Sequence, residues 1–172
     1  LTPMTNIIMK NGGTIDKYMG DCIMAFWNAP IDAPNHKEMA IDSALEMIDK
    51  LKELNDSNAF GDDNKLNIGI GINSGEAVVG NMGSEQRFDY SVLGDAVNLA
   101  SRLEGISKNY DATLVVGEDT YQNISHKYNF QKLDDVQVKG KSNKVSIYTV
   151  RESNDSITKE KTTEKIDQAN TI

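Results

Sequence analysis

Residues 66–73 alternate strictly between large aliphatic side chains and small or polar ones. A period of two is typical of a β-strand with one face against a hydrophobic core. Glycine weakens a strand, so glycines on the other face indicate the close approach of a second element. The segment therefore predicts a core strand with another part of the chain packed tightly against its bare face. The apolar positions are Leu66, Ile68, Ile70 and Ile72, and Asn67, Gly69, Gly71 and Asn73 lie between and after them.

Helical and strand patterns alternate through the rest of the chain to about residue 150. Periodicity and turn residues predict helices over 4–10, 36–54, 95–107 and 119–124, and further strands over 14–18, 22–27, 75–79, 87–93, 112–116, 130–138 and 145–150. Residues 35–38 resemble a capping box with Asn in the first position. Strands interleaved with helices indicate an α/β or α+β layer structure, and the tight hairpins favour a mixed or antiparallel sheet.

Composition limits the classes of partner. The net charge of −8 and the pI near 4.7 argue against nucleic acid, which requires a basic face. No apolar run approaches the roughly 20 residues that span a bilayer, so no direct membrane contact is expected from this segment. The single cysteine, Cys22, excludes an internal disulfide and fits a cytoplasmic location. One domain is expected over residues 1–150, followed by a disordered polar tail over 151–172.

Two short stretches carry candidate chemistry in their side chains. Gly20 and Asp21 form a predicted tight turn, where a carboxylate is exposed and rigidly placed for a hard cation such as Mg²⁺. Gly-Asp is also an ordinary turn dipeptide, and this alternative stays open. Asn98 and Arg102 are four residues apart on a predicted helix and share a face suited to a ribose oxygen and a phosphate. The alternative is a solvated helix face with Arg102 paired to a neighbouring acid.

A third stretch, residues 138–141, places Lys139 and Lys141 on either side of Gly140 between two predicted strands. Two lysines there suit a polyphosphate, although a basic hairpin turn is the alternative. The spacing of a Walker A loop is absent.

Taken together and in order, these stretches resemble the catalytic domain of class III adenylate and guanylate cyclases. The resemblance covers about residues 1–150 and includes the family's metal-binding hairpin, its following strands, its signature segment and its phosphate-binding lysine region. The corresponding segments are residues 12–26, 68–75, 78–83, 89–104 and 138–141.

The resemblance implies a ferredoxin-like α+β nucleotidyl cyclase fold with helices packed on a mixed or antiparallel sheet. It also implies a homodimer whose active sites lie at the interface. The family's first metal-binding aspartate lies on an upstream strand that this chain lacks, so the chain is expected to be truncated at its N-terminus. The sheet should then be interrupted near its centre, and the chain alone should be inactive. A cytoplasmic location is expected, with membrane anchoring of a longer protein left open.

By position in the family pattern, the resemblance gives each candidate residue a role. Asp21 corresponds to one of two metal-binding aspartates, Asn98 to the residue that orients the ribose, and Arg102 to the arginine that stabilises the transition state. Lys139 corresponds to the triphosphate lysine, with Lys141 second in preference. Two Mg²⁺ or Mn²⁺ ions are implied as cofactors, for which this chain supplies one carboxylate.

Lys17 and Ser91 correspond to the residues that read the purine. A lysine ammonium can donate to adenine N1, and a hydroxyl can accept from the exocyclic amine. Guanylate cyclases of the family carry Glu and Cys in these places, so the pair favours ATP. In the family's dimer the metal aspartates come from one subunit and the purine, ribose and arginine group from the other. Lys17 and Asp21 would then serve different sites of one homodimer.

The implied reaction converts ATP to 3′,5′-cyclic AMP and pyrophosphate by attack of the ribose 3′-hydroxyl on the α-phosphorus. Guanylate cyclase specificity and a non-enzymatic module that dimerises and regulates are the alternatives. A diguanylate cyclase is disfavoured because the Gly-Gly-Asp/Glu-Glu-Phe motif is absent. Asp16 is not expected to replace the upstream aspartate, because strict alternation would turn it away from the face of Lys17.

Overall fold

The computed structural model describes residues 1–61, 64–137 and 144–151. Four α-helices lie in these ranges: α1 (Thr2–Lys10), α2 (His36–Asp56), α3 (Asp95–Ile106) and α4 (Glu118–Tyr121). The strands are β1 (Thr14–Met19), β2 (Cys22–Phe26), β3 (Ile70–Ile72), β4 (Val78–Ser84), β5 (Arg87–Leu93), β6 (Leu114–Gly117), β7 (Phe130–Gln137) and β8 (Lys144–Val150). The predicted polar tail falls outside the described residues from position 152 onward.

The described strands form one four-stranded sheet and two separate hairpins. The sheet has the order β3-β6-β8-β7, with β3 parallel to β6 and the other neighbours antiparallel. The hairpins are β1-β2 and β4-β5. Among the described residues, no ladder of hydrogen bonds joins the β1-β2 hairpin to the four-stranded sheet. The mixed sheet with helices is the predicted α+β architecture.

Strand β6 lies in the centre of the core and is buried along its whole length. Leu114 and Val116 pack with Ile41 and Ala44 of α2. Val115 belongs to a second cluster with residues of α3 and β8. Since successive strand residues point to opposite faces, α2 and α3 cover opposite faces of the sheet. Each fully buried aliphatic side chain contributes about 1.5–3 kcal/mol, so the cluster that contains Leu99 and Leu103 holds α3 firmly against the sheet.

The glycines of the alternating segment do allow a close approach, and the approaching element is α3. A Cβ on Gly71 would overlap the carbonyl oxygen of Ala100 and the amide nitrogen of Glu104. A Cβ on Gly69 would lie 2.5 Å from the Ser107 hydroxyl. The helix backbone therefore packs directly on the bare face of this segment, as the sequence predicts.

The strand within that segment is shorter than predicted, because only Ile70–Ile72 is paired. At the predicted beginning, the side chain of Asn55 takes the place of a strand partner. It donates to the Leu66 carbonyl over 2.8 Å and accepts from the Leu66 amide over 2.9 Å. Backbone groups satisfied in this way have no need of a ladder.

Three other local predictions also need correction. The predicted strand over 75–79 is instead Val78–Ser84, because pairing with β5 continues to the Ser84–Arg87 pair. Asn35 makes no side-chain capping bond, and the Glu38 carboxylate accepts from Lys127 over 2.5 Å instead of closing a capping box. Helix α4 ends at Tyr121, short of the predicted position 124.

Helix α1 ends at Lys10, as predicted, with Asn11 as its C-cap, and the next residue, Gly12, adopts a φ of +72°. In the described part of the chain, no helix combines the length and the apolar character that crossing a membrane requires.

Candidate active site

The β1-β2 hairpin presents Lys17 and Asp21. Met19 pairs with Cys22 across the hairpin, so Gly20 and Asp21 form a two-residue turn. Gly20 has a φ of +65° at the first central position, where a two-residue turn of type II′ requires glycine. Asp21 is exposed at this turn, and the Lys17 side chain is 47% exposed on β1. A short turn between paired strands holds the Asp21 carboxylate in a defined place, as the sequence predicts.

The turn lies within electrostatic reach of α3. The pKa of the Cys22 thiol is raised, first by partial burial and then by the carboxylates of Glu104 and Asp21. Glu104 belongs to α3, so negative charge from the helix as well as from the turn acts on this thiol. Negative charge at the turn suits a cation.

Strand β5 and helix α3 present Ser91, Asn98 and Arg102. Ser91 is buried on β5, where it pairs with Gly80 of β4. Asn98 and Arg102 are both exposed on α3, whereas Leu99 is buried on the opposite side. The helix thus has a solvent-facing row with an amide and a guanidinium, in agreement with the predicted shared face.

The start of α3 is fixed by contacts to the end of β3. The Asn73 amide donates to the Ala96 carbonyl over 3.2 Å. A Cβ on Gly75 would lie 2.8 Å from the Ala96 Cβ, and a Cβ on Gly94 would lie 3.0 Å from the Glu76 carbonyl oxygen. These close approaches place the helix, and with it Asn98, relative to the central sheet.

The structure brings the predicted residues together as two units. Lys17 and Asp21 lie on the β1-β2 hairpin. The continuous β5–α3 segment carries Ser91, Asn98 and Arg102. Strands β1 and β5 are in contact, and the rings of Phe26 and Tyr90 lie 6.1 Å apart between their centroids. Lys139 and Lys141, the predicted triphosphate residues, lie outside the described residues.

Asp16 is a residue whose surroundings the sequence does not predict. Ile15 pairs with Ala25 and Lys17 with Met24, so Asp16 is the extra residue of a β-bulge. The Lys17 ammonium lies 3.6 Å from an Asp16 carboxylate oxygen. The expectation that Asp16 and Lys17 face away from each other is wrong, because the bulge interrupts strict alternation and lets their charged groups approach.

Asp21 is the residue here that suits a metal ion. Within the ranges that the structure describes, no group of three or more His, Cys, Asp or Glu side chains is arranged to hold a metal. Mg²⁺ is commonly bound by one or two protein carboxylates together with substrate phosphates and water. A single exposed carboxylate at a rigid turn fits that manner of binding as one ligand. Asp16, whose side chain is 0% exposed, does not.

Comparison with known proteins defines the family. Residues 2–152 match the model of the adenylate and guanylate cyclase catalytic domain. The chain is 35% identical over 158 residues to the adenylate cyclase of Anabaena cylindrica. The aligned region covers 88% of this chain and 30% of that protein. The chain therefore belongs to the adenylate and guanylate cyclase catalytic domain family. It spans less than a third of the length of the curated relatives that it matches first.

Solved structures confirm the nucleotidyl cyclase fold. The adenylyl cyclase CyaB from P. aeruginosa is 35% identical with a TM-score of 0.73, covering 88% of this chain and 78% of that one. The guanylate cyclase domain of RhGC from Catenaria anguillulae, solved with GTP, is 32% identical with a TM-score of 0.76. The match covers 87% of this chain and 78% of that one. Members of this family bind nucleotides, use divalent metals and act as dimers. Because both kinds of cyclase fit comparably well, the choice of base rests on individual side chains.

Proposed function

We propose that this chain is the catalytic domain of an adenylate cyclase, which converts ATP to 3′,5′-cyclic AMP and pyrophosphate. The observation that carries the choice of ATP is the pair Lys17 and Ser91. Lys17 is half-exposed on the hairpin, and Ser91 is buried on β5. The ammonium donates to adenine N1, and the hydroxyl accepts from the exocyclic amine. Guanine offers a donor at N1 and an acceptor at O6, which reverses both requirements.

The other residues act on the sugar and the phosphates. Asn98 holds the ribose, and Arg102, one turn further along α3, stabilises the negative charge that develops on the α-phosphate. Lys139 binds the triphosphate. Asp21 would hold a divalent ion, which would supply activation of the 3′-hydroxyl and neutralisation of the phosphate charge. Residues 1–172 alone are proposed to be inactive, because their described part offers a single suitable metal carboxylate, Asp21.

The active form is proposed to be a homodimer with its sites at the interface. Val78 and Leu93 are cross-strand partners of the β4-β5 hairpin, and they are 70% and 60% exposed. Large apolar side chains that are exposed next to each other mark an interaction surface. The hairpin carries Ser91, so this surface adjoins the base-reading residue.

A complementation experiment tests this arrangement. Asp21→Ala and Arg102→Ala are each made in the full-length protein, and both single variants should lose cyclic AMP formation. The two are then co-expressed with different affinity tags and purified through both tags. If Asp21 and Arg102 of one chain serve different sites, each mixed dimer has one intact site. Its activity should be about half that of the wild-type dimer.

A matched mixture provides the control. Lys17 and Arg102 are assigned to the same side of the interface, so a mixed dimer of Lys17→Ala and Arg102→Ala has no intact site. The shared-site arrangement is contradicted if this control dimer is as active as the mixed dimer of Asp21→Ala and Arg102→Ala. It is also contradicted if the latter recovers no activity. Wild-type protein that forms cyclic GMP in preference to cyclic AMP contradicts the proposed substrate.

A further inference from the structure

The carboxylate of Asp16 is buried and has no hydrogen-bond partner among the described residues. Its side chain is 0% exposed, and neither carboxylate oxygen accepts a hydrogen bond from that part of the chain. Buried carboxylates are normally hydrogen-bonded or paired, because leaving water without compensation is costly. A buried carboxylate that lacks such partners needs an explanation in the function or assembly of the protein.

The group that faces Asp16 is the ammonium of Lys17. Their separation of 3.6 Å is too long for a hydrogen bond and short enough for an ion pair. Among the described residues, Lys17 is the one cation paired with this carboxylate. The lysine side chain is 47% exposed, so its far end lies at the boundary between the buried carboxylate and solvent.

The β-bulge produces this pairing. Adjacent residues of a regular strand point to opposite faces, but the register shift between Ile15 and Lys17 breaks that alternation at Asp16. Bulges redirect side chains and are common next to active sites. Here the bulge places a fixed negative charge beside a side chain that otherwise has four freely rotating bonds.

We propose that Asp16 is a positioning residue that holds the Lys17 ammonium where it reads the base. The inference rests on the proposed function, because it takes Lys17 as the base-reading lysine. Attraction at 3.6 Å restricts the ammonium without using its donors, since no hydrogen bond joins the two groups. All three N–H groups of the ammonium stay available to the nucleotide.

Two double-mutant cycles on the full-length protein test this inference. Both use Asp16→Asn, Lys17→Met and the double variant, and Asp32→Asn serves as a control that removes an exposed loop carboxylate. The first cycle measures kcat/KM for ATP and for GTP. Asp16→Asn should lower the ratio of kcat/KM for ATP to kcat/KM for GTP about five- to tenfold, mainly through a higher KM for ATP. This is less than the loss of a whole charge-assisted contact, because Lys17 is displaced and not removed. With Lys17→Met already present, Asp16→Asn should change the ratio less than twofold.

The second cycle measures urea unfolding and requires no enzymatic activity. Lys17→Met leaves the buried carboxylate without its cation and should lower the unfolding midpoint, and adding Asp16→Asn should restore it. Equal effects of Asp16→Asn in both backgrounds, in either cycle, overturn the inference. So does an unchanged ATP to GTP ratio in Asp16→Asn. If the wild-type protein forms no cyclic nucleotide, the proposed function fails, and the unfolding cycle still reports whether the two side chains are paired.

Discussion

Replacing Gly71 with alanine tests the contact that fixes the helix carrying Asn98 and Arg102. The added Cβ would overlap the Ala100 carbonyl oxygen and the Glu104 amide nitrogen, and it would lie 3.0 Å from the Glu104 Cα. All three are backbone atoms of α3, so no side-chain rotation can relieve the overlap. The helix must move away from β3, or β3 must move away from the helix.

The size of the effect follows from the nature of the atoms. Overpacking a core costs about 1–3 kcal/mol, and backbone overlap on a helix anchored by the buried Leu99 and Leu103 belongs at the upper end, about 3 kcal/mol. That is a large part of the roughly 5–15 kcal/mol that stabilises a typical domain. For a domain of this size, it corresponds to a fall in the melting temperature of about 6–12 °C.

Urea unfolding of the full-length protein, followed by circular dichroism, gives the free energy of unfolding. Gly80→Ala is the matched strand control, because a Cβ there would meet nothing within 4 Å. It should change the free energy by less than about 0.5 kcal/mol. Gly105→Ala, at an open position on α3 itself, should stabilise by about 0.5 kcal/mol.

Two results would refute the reasoning. One is a Gly71→Ala protein within about 0.5 kcal/mol of wild type, and the other is a Gly80→Ala protein destabilised as much as Gly71→Ala. Cyclase activity gives a second readout at temperatures where Gly71→Ala remains folded. A displaced α3 misplaces Arg102, and a misplacement of about 1 Å can lower the rate about a hundredfold.

Two further predictions concern base choice and pH. Lys17→Glu combined with Ser91→Cys should shift preference from ATP toward GTP, as measured by kcat/KM for each nucleotide, and an unchanged preference contradicts the assignment of both residues. Burial, followed by its 2.8 Å hydrogen bond to Asp42, raises the pKa of Tyr128 above its usual value near 10. The native state therefore keeps this proton at pH values where the unfolded chain has lost it. The resulting stability is complete below about pH 10 and declines as the pH rises above it. Between about pH 9 and 11, the free energy of unfolding should decline less in Tyr128→Phe than in the wild-type protein. Equal declines in the two proteins contradict this assignment.

The sequence predicts the surface of α3 well because its pattern is local. Asn98 and Arg102 share an exposed face, as their spacing of four residues predicts, and Leu99 and Leu103 are buried on the other side of the helix. The glycine positions also predict a close neighbour for the alternating segment. They do not identify that neighbour as α3, because packing between distant segments leaves no periodic signal. The same limit applies to Asn55, whose bonds to Leu66 end the strand early.

The bulge at Asp16 shows a different limit. One unpaired residue reverses the facing of every side chain on one side of it, and alternation in the sequence cannot reveal the slip. Residues 14–18 have the sequence of an ordinary short strand. An acid next to a lysine is the remaining signal in the sequence, and its meaning depends on knowing that the two side chains face each other.

The two units of the candidate site are supported in different ways. Helix α3 is locked to the sheet by close backbone contacts at Gly71 and by the buried Leu99 and Leu103. The β1-β2 hairpin has no ladder bonds to that sheet among the described residues, and it meets the β5–α3 unit through the rings of Phe26 and Tyr90. The position of the arginine is therefore set by the core, whereas the hairpin must fix its own charged groups locally. A bulge that pairs Lys17 with a buried carboxylate is a local device of that kind, because it needs no contact outside the strand.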